Sequence, residues 1–369
     1  MIILMALVLL VAVPVGTAVA QAFEGEGTAV IWDDAALSDA ITFTMTGVTS
    51  PAAGTAYEGW LVSDDGTVKL STGIITVAAD GSVDDTFDSS SEGNTGQNLI
   101  HNYDKVLITV EPVPDSDPGP SGVVAFSAQI PAATMAHIRH LLTDWPEGTG
   151  VGILTNLQTN LEGAIFHANL AKNSDTLDAK IPQTHHVINA IEGDGGANYD
   201  IAFGDLAGDS IGVLRHAADR SHAGFAASTD VDDAALAAQA ALVEASGANA
   251  SAAAGLARDQ ALKVLTSNLS LANIFLGPGA NTVLTLLDTA LNGIEGGDGG
   301  AKQAYVDAQL MATYVLEAGA ATTVVAPPPE TVGDPTIPLL AQIVLITSVI
   351  FLGAGGLLAL KGRRSRAVA

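Results

Sequence analysis

The chain has 369 residues, with 40 Asp and Glu against 14 Lys and Arg, a formal net charge of −26 and no cysteine. The missing thiols exclude disulfides, thiolate metal sites, cysteine lipidation and covalent c-type haem attachment, and the charge excludes nucleic acid as a partner, because phosphates would be repelled. It fits a solvated, salt-exposed or cation-binding surface. The chain as a whole reads as α+β and multi-domain: an N-terminal antiparallel β-sandwich, a C-terminal α-helical bundle region and one transmembrane helix.

Residues 1–22 come first. The almost wholly apolar run Met1–Val13, then Pro14, Gly16 and the small residues Ala18-Val19-Ala20-Gln21-Ala22, has the pattern of a secretory signal peptide. No Lys or Arg precedes the run, so either the start lies further upstream or the segment is not cleaved.

From residue 23 to 130 the sequence is rich in Thr, Val, Gly and Asp. Ile41-Thr42-Phe43-Thr44-Met45-Thr46 alternates apolar and threonine, which predicts a half-buried strand. Tyr57–Val62, Gly73–Ala78, Val83–Phe87, Lys105–Glu111 and Gly122–Ala128 read the same way, with turn dipeptides at Asp65-Gly66 and Asp80-Gly81. About seven short strands with regular turns predict the sandwich. Tyr57, Trp60 and Tyr103 each fall in a strand pattern and read as core aromatics.

The succession Tyr57-Glu58-Gly59-Trp60-Leu61-Val62, Asp65-Gly66, Gly73-Ile74-Ile75-Thr76-Val77 with Asp80-Gly81, Tyr103-Asp104-Lys105-Val106, Thr109-Val110-Glu111-Pro112 and Pro118-Gly119-Pro120-Ser121-Gly122 resembles the extracytoplasmic domain of anti-sigma-K factors, over residues 26–130. The resemblance implies a small β-sandwich displayed outside the membrane. In that family a separate cytoplasmic helical domain grips the sigma factor. The sequence holds no match to it, so direct sigma-factor binding is not expected here, and a place in a transmembrane signalling pathway rests on the family analogy.

Residues 131–230 predict a four-helix bundle: Ala132–Asp144, Val151–Ala171, Asp175–Glu192 and Ser210–Ser228, with Ser174 and Asp209 as N-caps, Gly193 as a stop and a kink at Pro182. An Ala-rich helical region fills 231–320, with helices at Asp232–Ala245, Ser251–Ser267, Asn281–Ile294 and Ala301–Ala318. Asn189-Ala190-Ile191-Glu192-Gly193-Asp194-Gly195-Gly196-Ala197 recurs as Asn292-Gly293-Ile294-Glu295-Gly296-Gly297-Asp298-Gly299-Gly300-Ala301, which suggests two related helical hairpins. Asp194, Asp200 and Asp205 offer carboxylates for calcium but lack EF-hand spacing, and a solvated loop is the default.

Seven of the eight histidines fall within 131–230. His137 and His140 share a face at i, i+3; His167 lies on the second helix, His185 and His186 on the third, His216 and His222 on the fourth. Facing helices of bundles hold metal and cofactor ligands in this way, so His137, His140, His167, His186 and His216 are candidate ligands for a transition metal or a non-covalent haem, with Glu162 as an added carboxylate. Structural hydrogen bonding and a pH-responsive cluster are the alternatives. No nucleophile elbow, phosphate loop or dinucleotide fingerprint supports an enzyme.

Residues 321–336 read as a proline-rich stalk. The uncharged run 337–360 is long enough to span a membrane, and Lys361, Arg363, Arg364 and Arg366 in the 361–369 tail place the C-terminus inside. Asp334-Pro335-Thr336-Ile337-Pro338 with this helix and tail also resembles a sorting signal, under which the helix would be removed. The expected location is the cell membrane, with most of the chain outside the cytoplasm. The expected function is binding or sensing of an extracellular protein or ligand, with a metal- or haem-binding surface protein as the alternative.

Overall fold

Alternating apolar and threonine or acidic residues build strands between residues 19 and 129. In order these are β1 (Val19–Gln21), β2 (Glu26–Trp32), β3 (Ala40–Thr46), β4 (Thr55–Val62), β5 (Lys69–Ile75), β6 (Val83–Phe87), a single turn of helix α1 (Leu99–Asn102), β7 (Lys105–Pro112) and β8 (Val124–Gln129). On β3 the apolar Ile41, Phe43 and Met45 are buried while Thr44 and Thr46 face solvent, the two-residue period expected of a half-buried strand. Helices follow: α2 (Ala132–Leu142), α3 (Ile153–Asn173), α4 (Leu177–Glu192), α5 (Val213–Asp219), α6 (His222–Thr229), α7 (Ala234–Leu265), α8 (Leu269–Leu276), α9 (Val283–Asn292) and α10 (Ala301–Leu310). The chain then returns to strand as β9 (Tyr314–Ala318) and β10 (Thr322–Val324). This computed structural model describes residues 19–204, 208–320 and 322–324.

The predicted β-sandwich followed by a separate bundle is corrected. Eight strands form one antiparallel sheet in the order β5-β4-β7-β8-β9-β2-β3-β6. Its edges meet where the Thr76 amide, just beyond β5, donates to Asp85 of β6 at 2.5 Å, so the sheet is a nearly closed barrel. Strand β9 explains the difference. It pairs with β2 through Thr28↔Val315 and with β8 through Ser127↔Glu317. Without it the strands would fall into two smaller sheets, β5-β4-β7-β8 and β2-β3-β6, which is what a sandwich reading of residues 23–130 amounts to. The joining strand comes from the far side of all the long helices, so those helices are an insertion in the barrel and not a domain after it.

Tyr57, Trp60 and Tyr103 are buried in the barrel. The Tyr57 hydroxyl donates to the Thr49 carbonyl at 2.9 Å and the Trp60 indole to Thr109 at 2.9 Å. Helix α10 docks on the loop after β2: Asp33 accepts from the Tyr305 hydroxyl at 3.1 Å and from the Gln309 amide at 2.5 Å.

The helices that close into a ring are α3 on α4, α4 on α7, α7 on α9 and α9 on α3. Two hairpins, one from each sequence repeat, thus make a four-helix bundle lined by Leu157, Leu161, Ala164, Ile191, Val243, Ala254, Ala257 and Leu287, all fully buried. The two hairpins end in the same backbone geometry, in a register three residues off the sequence recurrence, which aligns Gly193 with Gly296. Gly193 ends α4 at φ 70 and Gly293 ends α9 at φ 77. Gly212 and Gly300 open the next helices. In each copy the residue after the first glycine donates to the carbonyl two before the second, Asp194 to Ser210 and Ile294 to Asp298, both at 2.9 Å.

Two expected helix boundaries move. Asp232–Ala245 and Ser251–Ser267 merge into the 32-residue α7, where Gly247 leaves room for the stem of Arg220: a Cβ there would stand 2.3 Å from the Arg220 Cδ. Ser210–Ser228 instead breaks between α5 and α6, where the Arg220 Nε turns back to donate to the Glu244 carbonyl at 3.0 Å. Thr176 rather than Ser174 caps α4.

No helix among the described residues is long and apolar enough to cross a membrane. The expected membrane helix at 337–360, most of the signal segment, the stalk beyond residue 324 and the basic tail lie outside the described residues.

Candidate metal centre

The break between α5 and α6 decides where the histidines go. On an unbroken helix His216 and His222 would be six residues and about 240° apart, on different faces. With the break, His222 becomes the first residue of α6 and points at α2. There its Nδ1 lies 3.1 Å from the His137 Nδ1 and 3.1 Å from the His140 Nδ1. One nitrogen from each of the three rings lies within 4.8 Å of the others. The loop after α2 folds over them, held by Asp144, which accepts from the Gly148 and Gly150 amides at 2.9 and 2.8 Å. It sets the Trp145 ring 4.8 Å from His140 and 4.7 Å from His222, centroid to centroid. Phe225 closes the other side, 5.7 Å from His137 and 5.6 Å from His222.

This arrangement is electrostatically awkward without a further group. A neutral imidazole nitrogen offers one in-plane lone pair or one N–H, so His222 Nδ1 can satisfy only one of its two neighbours. Protonation is opposed as well. Burial and the neighbouring His140 and His137 push the His222 pKa down to about 4, and burial and His140 lower that of His137. His140 Nε2 faces outward, 3.7 Å from the Glu147 carboxylate. Beside the cluster, Trp145 lines a cleft of about 560 Å³ that also holds Arg215 and Asp219.

A small ion suits this space better than haem. Axial imidazoles sit on opposite faces of the porphyrin, their nitrogens about 4 Å apart at iron–nitrogen distances near 2 Å. The 3.1 Å contacts leave no room for that plane.

The other candidate ligands are elsewhere. His167 of α3 and His186 of α4 pack ring on ring at 4.7 Å, and His167 Nδ1 is 2.7 Å from Gln183 Oε1. His185 stacks on Phe203 at 4.2 Å. His216 is fully buried, its Nε2 2.7 Å from Asp209. Asp209 also accepts from Asn160 at 2.9 Å. Hydrogen bonds from His216 and Asn160 outweigh burial and hold its carboxyl well below the ordinary range. Asp209, expected to cap a helix, instead anchors His216 between α3 and α5. Of the three calcium candidates, Asp205 lies outside the described residues. Asp200 Oδ1 accepts from the Ala202 amide at 2.9 Å, and His137, His140 and His222 are the group placed to hold one ion among the described residues. His222 was legible only as one more histidine; the sharp turn at Arg220 leaves no signature in the hydrophobic pattern.

His216→Ala is expected to destabilise the fold by about 2–3 kcal/mol, because Asp209 is left with a lost charge-assisted partner. Asp209→Ala should cost a similar amount, and the double substitution far less than the sum; urea denaturation measures all three. Acid should act on the cluster of three. An unfolded histidine titrates near 6.5, so the unfolded chain takes up protons that folded His137 and His222 resist. Their contribution to stability is therefore complete above about pH 6.5 and lost as pH falls, that of His222 as pH falls toward about 4. Discounted for the partial exposure of these rings, it is on the order of 1–2 kcal/mol. Carboxylates titrate nearby, so the measurement is the difference in urea midpoint between the native chain and His222→Gln, with chelator present, at pH 7 and pH 4.5. An unchanged difference would rule the effect out.

The fold and the site together define a barrel with an inserted helical bundle, carrying a histidine cluster on the insertion. Residues 5–124 match the family model described as anti-sigma-K factor rskA, C-terminal, so the resemblance of the barrel strands to that domain stands. The match ends at the first residue of β8, and helices α2 to α10, the seven histidines they and their loops carry, and β9 lie beyond it. No curated protein and no solved structure matches the chain.

Proposed function

We propose that the chain is a non-catalytic regulatory protein of a signalling pathway, in which an anti-sigma-K-like barrel carries a helical ligand-binding insertion outside the cytoplasm, at the membrane surface. The family match supports the regulatory part. The observation that carries the coupling is the position of β9. Both ends of the insertion are strands of the barrel, β8 entering and β9 returning beside it, so a shift of the helices on binding acts directly on barrel pairing. Asp33, gripped by Tyr305 and Gln309 of α10, adds a second connection. The address rests on the sequence pattern of the two apolar ends. Binding is the role this frame serves.

The test is genetic and direct. Transcript profiles of the source cells would be compared after deletion of the chain, after its restoration, and after restoration with Tyr314→Ala. A regulator gives a defined transcript set that changes on deletion, recovers with the native chain and fails to recover with the variant. Identical profiles in all strains would defeat the proposal. Protease treatment of intact cells checks the address: cleavage of the chain is expected, and full protection would exclude it.

A further inference from the structure

We propose that His137, His140 and His222 bind one divalent late transition-metal ion, zinc or a neighbour of it, through their Nδ1 atoms. Two nitrogens that bind zinc at about 2.0–2.1 Å with a tetrahedral angle stand about 3.3 Å apart; both contacts of His222 are 3.1 Å. An ion at this point removes the conflict at His222, since each nitrogen then directs its one lone pair at the metal. Neutral imidazoles favour zinc, copper, nickel or cobalt over calcium and magnesium, which require oxygen ligands.

The surroundings have the parts of a built site. Nδ1 ligation leaves the His140 Nε2–H outward, with the exposed Glu147 carboxylate 3.7 Å away, near it but beyond hydrogen-bond reach. Trp145 and Phe225 give the rings fixed walls. Three protein ligands leave a fourth position for water or an incoming donor, as in exchangeable rather than closed structural sites. Two helices meet at the ion, α2 directly after β8 and α6 directly before α7. Filling or emptying the site therefore bears on α2–α6 packing next to the barrel. The metal would be the ligand of the proposed regulatory function, and its biological meaning rests on that reading.

The full-length chain, purified with a tag free of histidine and stripped with chelator, would be titrated with cobalt(II) and then zinc(II). One equivalent of cobalt is expected to give the visible bands of a four-coordinate ion, and zinc to displace it. His137→Gln, His140→Gln and His222→Gln should each weaken binding about 100-fold, while His167→Gln leaves it unchanged. Circular dichroism shows which variants are folded, and only folded ones count; three conservative substitutions keep the test open if one fails to fold. No cobalt spectrum and no zinc uptake by the native chain would overturn the site, as would uptake undiminished in folded triad variants, which would assign the metal to the acidic surface. The two proposals fail separately. A transcript response that survives triad substitution removes the metal as signal and leaves the regulator; metal binding in a chain whose deletion changes no transcript does the reverse.

Discussion

A chain ending at Ala312 is expected to lose its cooperative fold, although the described part it loses is only β9, β10 and the residues around them. Strand β9 sits in the middle of the eight-stranded sheet. Removing it opens β2 and β8 as two facing edges with unpaired backbone groups, each costly to leave buried. It also strips Tyr314 and Leu316, 1% and 3% exposed, from the core. Tyr314 donates to the Tyr103 carbonyl at 3.3 Å, and its removal alone, as Tyr314→Ala, should cost about 3–5 kcal/mol. Thermal melting and amide exchange of β2 and β8 measure the effect. A truncated chain that still melts cooperatively within a few degrees of the full one would show that the barrel stands on its first seven strands, and the proposed coupling of insertion to barrel would fall with it.

That strand was also the element hardest to see in the sequence. Ala301–Ala318 has apolar residues at spacings that fit one helix, and the helix does form as far as Leu310. Tyr314-Val315-Leu316-Glu317-Ala318 is too short to declare its period, and only the gap between β8 and β2 makes it a strand. The N-terminal strands are different. Ile41–Thr46 or Val83–Phe87 face solvent on one side and core on the other, so composition alone separates them. The histidine cluster was half legible for a similar reason. His137 and His140 share a helix face by arithmetic that any α-helix obeys. The third ring depends on Arg220 turning back to Glu244, a tertiary contact between residues that no local pattern links. Bundle membership likewise depends on the repeat rather than on chain order: hairpin α3–α4 pairs with α7–α9, and α2 and α6 pack on each other instead.

Gly193→Val is expected to destabilise the protein by on the order of 4 kcal/mol or more, an exceptional cost for a single substitution at a helix end. Gly193 has φ 70 and ψ 177, a region open essentially to glycine alone. Space is also closed: a Cβ at Gly193 would lie 2.0 Å from the Ile211 carbonyl oxygen, and one at Gly212 would lie 2.4 Å from the Gly193 nitrogen. The two backbones therefore touch, and neither neighbour is a flexible side-chain tip that can move away. The crossing holds the end of α4 against the start of α5, one turn before His216 and its bond to Asp209. Gly293 and Gly300 make the same crossing in the second hairpin, with a Cβ at Gly300 2.5 Å from the Gly293 nitrogen. Gly293→Val should thus be comparably damaging, whereas Gly195→Ala, with no atom near its Cβ position, should be within about 0.5 kcal/mol of neutral. Urea unfolding of the three variants decides the matter. Equal midpoints for Gly193→Val and Gly195→Ala would mean that the glycines recur through composition and that the paired crossings do not hold the two hairpins.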